Sequence, residues 1–155
     1  MSSPRVLHLA THGFLIKDPT LPNPLLRVGI ALSGAQTAVS GGASYGLLSG
    51  LQLASLHLEG TQLVVLSACE TGLGDAIAGE GVAGLNQAFL TAGARQVLLS
   101  LWRVPDVQTG ELMTEFYRRY TSGTEAASAL RAAQLTLMRR GLPPKDWAAF
   151  TLNGG

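Results

Sequence analysis

Residues 63–68 (LVVLSA) form an uninterrupted apolar run with two valines at its middle, and no other stretch limits the fold as much. A strand with one wet face alternates polar and apolar residues, whereas a strand buried on both faces reads as a continuous apolar run, as in the centre of a parallel sheet. Residues 5–11 (RVLHLAT) and 96–102 (QVLLSLW) have the same character, closed by His12-Gly13 and by Val104-Pro105-Asp106. Helical spacing lies between and after these runs. Val82, Leu85, Phe89 and Leu90 share one face before Gly93, and Leu112, Met113, Phe116, Tyr117 and Tyr120 recur at the same period. Residues 124–140 repeat it with Leu130, Ala133, Leu137 and Met138, and Gly141 and Pro143-Pro144 end that helix. Strands separated by helices predict a mainly parallel sheet, covered on both faces and joined by right-handed crossovers.

The remaining segments are less constrained. Residues 14–46 are rich in Gly, Pro, Ser and Thr and read as loop, with one strand at 28–32. The leucines of residues 45–58 suit a short helix stopped by Gly60, and WAAFTL at 147–152 is a last strand. At 155 residues, without an internal repeat, the chain is expected to be one domain spanning 1–155.

Composition removes several function classes. Lys plus Arg is 11 and Asp plus Glu is 10, so no net field attracts nucleic acid or an anionic membrane, and neither is expected as a partner. The pairs Arg118-Arg119 and Arg139-Arg140 read as solvated helix faces or helix C-terminal charges. Charged residues are 14% of the chain, against roughly 25% in an ordinary soluble domain, and this thin polar coat suits a chain covered in part by something else. A single cysteine, Cys69, excludes an internal disulfide and a cysteine-rich zinc site. With no signal-peptide pattern and no membrane-length apolar run, a cytoplasmic location is expected.

In open α/β sheets the working groups lie beyond the carboxyl ends of the strands. The first strand leads there to His12-Gly13 and the central one to Cys69. If those strands are neighbours, a thiol and an imidazole face one substrate, and the imidazole can generate the thiolate and later protonate a leaving amine. The N–H groups of Gly13 and Cys69 would suit an oxyanion hole. Equally, a lone cysteine at the end of an apolar strand is often a small buried hydrophobe.

Other motifs have plainer readings. His8 and His12 lie about 13 Å apart along one strand, too far to share a metal ion, so no metal and no cofactor is expected. His8 reads as a hydrogen-bonded strand residue supporting the site, and His57 as a surface residue. Gly79, Gly81 and Gly84 spell G-x-G-x-x-G (GEGVAG), but a dinucleotide fingerprint follows its strand directly, and here ten residues separate Cys69 from Gly79. A loop and helix start is the favoured reading, with nucleotide binding as the alternative.

Taken together, RVLHLATHG (5–13), LHLEGTQLVVLSACETGLG (56–74), GEGVAGLNQAFLTAGARQVLLSLWRVPD (79–106), ELMTEFYRRY (111–120), ALRAAQLTL (129–137) and DWAAFTL (146–152) resemble the CHAT domain, a caspase-like cysteine peptidase family related to separase and often attached to TPR repeats. The resemblance covers nearly the whole chain. It implies a caspase-like three-layer αβα sandwich with a mainly parallel central sheet, His12 as catalytic base, Cys69 as nucleophile, and a protein or peptide substrate. Family members carry further N-terminal strands, so the domain reads as partial and the strand at 5–11 as an open edge through which the chain would self-associate. A TPR or other regulatory partner is also implied, and a non-catalytic interaction module of the same fold is the alternative function. Separases cut after arginine, and Asp106 stands in a similar LW-V-D context. Asp106 is therefore a candidate substrate-binding acid, with Glu70, Asp75 and Glu80 as further acids, although Asp106 is equally explained as the N-cap of the next helix.

Overall fold

The computed structural model describes residues 3–18, 20–35, 46–67 and 80–155. Its central sheet has the order β1-β5-β6-β7, from β1 (Val6–Leu9), β5 (Leu63–Leu66), β6 (Gln96–Ser100) and β7 (Phe150–Gly154). β1 pairs with β5 and β5 with β6 in parallel, while β7 returns antiparallel to β6. The mainly parallel sheet expected from the apolar runs is therefore present.

Side-chain alternation then sorts the core into two layers. Leu63, Val65 and Leu98 point to one face, where α4 (Asp106–Tyr120) and α5 (Ala126–Arg139) bring Leu112, Phe116, Ala129, Ala133 and Leu137. Val64, Leu66, Val97 and Leu99 point to the other. There they meet Leu53 of α2 (Gly50–Ala54) and Leu85, Ala88 and Phe89 of α3 (Glu80–Thr91). Each of these sheet residues is at most 2% exposed, which makes this a three-layer α/β/α arrangement.

A second sheet lies over that other face; its middle strand is the one expected at 28–32, while the strands on either side of it depart from the loop and helix expected there. β2 (His12–Leu15), β3 (Val28–Ala31) and β4 (Leu47–Ser49) run antiparallel in the order β2-β3-β4, with α1 (Pro24–Arg27) leading into β3. β2 and β4 are four and three residues long, too short for a periodic signal to mark them as strands. Gly29 has a structural reason: a Cβ there would collide with the Phe14 ring and the Leu48 carbonyl of the two flanking strands. The helix expected at 45–58 shrinks to Gly50–Ala54 because Ser49 and Gln52 form a capping box that starts it only after β4. Val28 and Ile30 of β3, each 1% exposed, join the core beside α3 and fix the small sheet against the large one.

Candidate functional site

β1 ends at Leu9, and the chain crosses at Ala10 and Thr11 from the central sheet to the small one. Thr11 Oγ1 donates to the Ala31 carbonyl, anchoring the crossing. His12 is thus the first residue of β2, opposite Ala31, whereas the sequence placed it just past the end of a first strand running through Thr11. The break was hidden because the β1 and β2 residues are similar in hydropathy across Ala10-Thr11.

A cleft of about 360 Å³ opens beside this crossing, lined by His8, Thr11, His12, Ser67, Asp106 and Thr109, with Met113 among its apolar walls. His12 reaches it from the small sheet, His8 and Ser67 from β1 and the end of β5, and Asp106 and Thr109 from the first turn of α4. The carboxyl ends of β1 and β5 form its floor, as open α/β sheets lead one to expect.

Within the cleft, His8 is held at both ring nitrogens. Its Nε2 lies 3.1 Å from Ser67 Oγ and its Nδ1 lies 3.0 Å from the Tyr117 hydroxyl. The Tyr117 ring packs tilted on the imidazole with centroids 5.6 Å apart, and against Phe116 edge-on. Burial of the ring lowers the His8 pKa below the usual histidine value and favours the neutral form. Tyr117 is pushed up to about 12, first by burial and then by Tyr120, so its phenol keeps its proton. The hydrogen bonds read for His8 from sequence are present. Its partners Tyr117 and Ser67 were missed: Tyr117 looked like one more member of an apolar helical stripe, although a tyrosine in such a stripe has a polar tip that needs a partner.

Asp106 is the first residue of α4, and the cap position belongs to Pro105, with no side-chain hydrogen bond to the helix end. The N-cap reading of Asp106 is therefore corrected; Pro105, lacking a side-chain acceptor, starts the helix one residue earlier. The Asp106 carboxylate remains favourable at the positive end of the helix and lines the cleft.

Gly13 is buried within β2 opposite Ile30. Cys69, Glu70 and Asp75 lie outside the described residues, as does the Glu80 side chain, although Glu80 itself begins α3. Of GEGVAG, Gly79 lies outside them too, whereas Gly81 and Gly84 stand inside α3. A Cβ on Gly84 would come within 3.0 and 3.2 Å of the Val28 methyls, so close helix-to-strand packing explains that glycine. Among the described residues no group of three His, Cys, Asp or Glu side chains is placed to hold a metal ion. Nor is any described helix long and apolar enough to cross a membrane.

A mainly parallel sheet between helical layers, with a histidine-lined cleft at its strand ends, defines a class of α/β domain. The chain belongs to the CHAT domain family, which it matches over residues 1–155. The resemblance and the caspase-like α/β fold it implied are thereby established. Among curated proteins it is similar to tetratricopeptide repeat protein 28 of Mus musculus, 36% identical over 110 residues, and to the Homo sapiens protein of that name, 34% identical over 110 residues. Those matches take in 70% of this chain, which spans only 4% of the length of either relative.

Proposed function

We propose that the chain, acting as one domain over 1–155, is a cysteine endopeptidase of caspase type, with His12 as general base and Cys69 as nucleophile. The observation that carries this reading is that His12 shares one cleft with Ser67, the residue two positions ahead of Cys69. Its volume is in the range that takes a small ligand or a few peptide side chains. In the proposed mechanism His12 takes the Cys69 proton, and the thiolate adds to the scissile carbonyl carbon. The N–H groups of Gly13 and Cys69 hold the oxyanion, and His12 protonates the departing amine. Water then releases the acyl group, with His12 again as base. Asp106, which lines the cleft from α4, would read a basic residue ahead of the cleaved bond, with Glu70, Asp75 and Glu80 as further candidate acids. Family membership supports the chemistry. The relatives' name supports regulation by a tetratricopeptide-repeat partner as part of the same proposal.

The test is cleavage of a fluorogenic peptide set by wild type, Cys69→Ala and His12→Ala protein. Each substitution should lower turnover by about 10³-fold or more, and for His12→Ala, at an exposed position, the unfolding free energy should change by only about 0.5 kcal/mol. Equal cleavage by wild type and Cys69→Ala protein rules the mechanism out. A wild type that binds peptides without cutting them favours an interaction module of the same fold.

A further inference from the structure

The Tyr117–His8–Ser67 chain crosses the cleft wall and has no part in the His12–Cys69 mechanism. Its proton positions follow from what each end can reach. Tyr117 retains its proton, its hydroxyl is partly buried beside Phe116, and the His8 Nδ1 lone pair is the acceptor within reach at 3.0 Å. With Tyr117 donating to Nδ1, a neutral His8 carries its proton on Nε2 and donates it to Ser67 Oγ across 3.1 Å. Ser67 then has its own hydrogen left over, on the side of the cleft, where among the described residues His8 is the one hydrogen-bond partner of its hydroxyl. The opposite arrangement, Ser67 donating to Nε2 and Nδ1 donating to Tyr117, would turn the phenolic hydrogen to solvent, and the imidazole tautomer distinguishes the two. The depressed basicity of His8 also makes it a poor proton acceptor for a nucleophilic serine, so a Ser67–His8 hydrolytic pair is disfavoured.

We propose that Tyr117 and His8 are positioning residues that fix Ser67 as a one-way hydrogen-bond donor to a backbone carbonyl of a peptide lying in the cleft. The ligand class rests on the peptidase reading above; the proton arrangement does not. A carbonyl fits because it accepts and cannot donate, and a fixed donor loses little rotamer freedom when it binds. Ser67 would thus grip the peptide from the β5 side while Asp106 faces it from α4.

Two measurements on the full chain test this, both made on Cys69→Ala protein so that no peptide is consumed. The first is the ¹⁵N pattern of the His8 imidazole, expected to show the Nε2–H tautomer and to shift towards a mixture in Tyr117→Phe. The second is anisotropy of a fluorescein-labelled peptide with a central arginine. Ser67→Ala should weaken binding about three- to tenfold, Tyr117→Phe by a smaller factor, and Ser67→Thr should bind nearly as the parent. An Nδ1–H tautomer, unchanged affinity in Ser67→Ala, the absence of peptide binding, or labelling of Ser67 by a fluorophosphonate each overturns the proposal. If the tautomer and affinities come out as expected while wild type cuts no peptide, the peptidase reading falls and this one stands. The reverse outcome removes this one alone.

Discussion

Gly84→Ala separates packing from local propensity within one helix. In an exposed helix interior, replacing glycine by alanine stabilises by about 1 kcal/mol, because glycine loses more backbone entropy on folding. Gly84 is inside α3, but the added methyl would stand 3.0 and 3.2 Å from the two Val28 methyls. Val28 has little room to retreat: it is 1% exposed, β-branched, and its Cγ2 would lie 2.8 Å from a Cβ placed on Gly50 on α2. Overpacking of this kind costs about 1–3 kcal/mol. Set against the propensity gain, the expected result is a net loss of about 0–2 kcal/mol. Urea unfolding of wild type, Gly84→Ala, Val28→Ala and the double variant would measure it. Because Val28→Ala removes the methyls in the way, the double variant should be more stable than the sum of the singles by about 1 kcal/mol or more. A Gly84→Ala protein about 1 kcal/mol more stable than wild type, additive with Val28→Ala, would refute the packing explanation. Stabilisation by a nucleotide that Gly84→Ala abolishes would return the glycines to a phosphate-binding role.

Three further outcomes are expected. Asp106→Asn should lower kcat/KM for peptides with Arg or Lys before the scissile bond by about tenfold to a hundredfold, the size of a charge-assisted hydrogen bond, and leave neutral residues unaffected; a basic preference that survives means that another acid reads the substrate. For His8, whose pKa is lowered by burial in the folded chain, the unfolded chain binds more protons as pH falls below its unfolded value of about 6.5. Stability is therefore complete above that pH and drops below it; chemical denaturation of His8→Gln across the same range, with His12, Asp106 and Tyr117 unchanged, should show a shallower drop, and an identical slope would contradict the assignment. β1 pairs with β5 on one side, and among the described residues no strand pairs with it on the other. Sedimentation at rising concentration should then reveal self-association, while a monomer at every concentration would show that this edge recruits nothing.

The large sheet was legible from sequence because continuous burial leaves continuous apolar runs. LVVL, VLLS and VLHL each register as strand without knowledge of any partner. Of the small sheet only the strand at 28–32 was legible, as β3; the short strands beside it owe their existence to cross-strand contacts such as Phe14 over Gly29, which no local window contains. β7 illustrates a boundary shift: WAAFTL suggested a strand at 147–152, but the turn at Pro144–Asp146 and the Trp147 indole bond to the Leu142 carbonyl delay it to Phe150. His12 and Asp106, which both line the cleft, were singled out because strand ends and helix starts are punctuated by Gly and Pro. Tyr117 was not, because its role arises 109 residues away from His8 in the chain, and only the packing of α4 on the sheet brings the two together.

The crossing at Ala10-Thr11 mounts the two halves of the candidate dyad on separate frames. His12 rides on the small sheet, while the strand leading to Cys69 belongs to the large one. Chemistry that needs both therefore depends on how the frames are seated, and a misplacement of about 1 Å is enough to cost about a hundredfold in rate. That seating is set by Val28 and Ile30 pressed against α3, on the far side of the sheet from α4. A partner that nudged the small sheet through this contact would act as a throttle on the proposed pairing of base and nucleophile while touching neither.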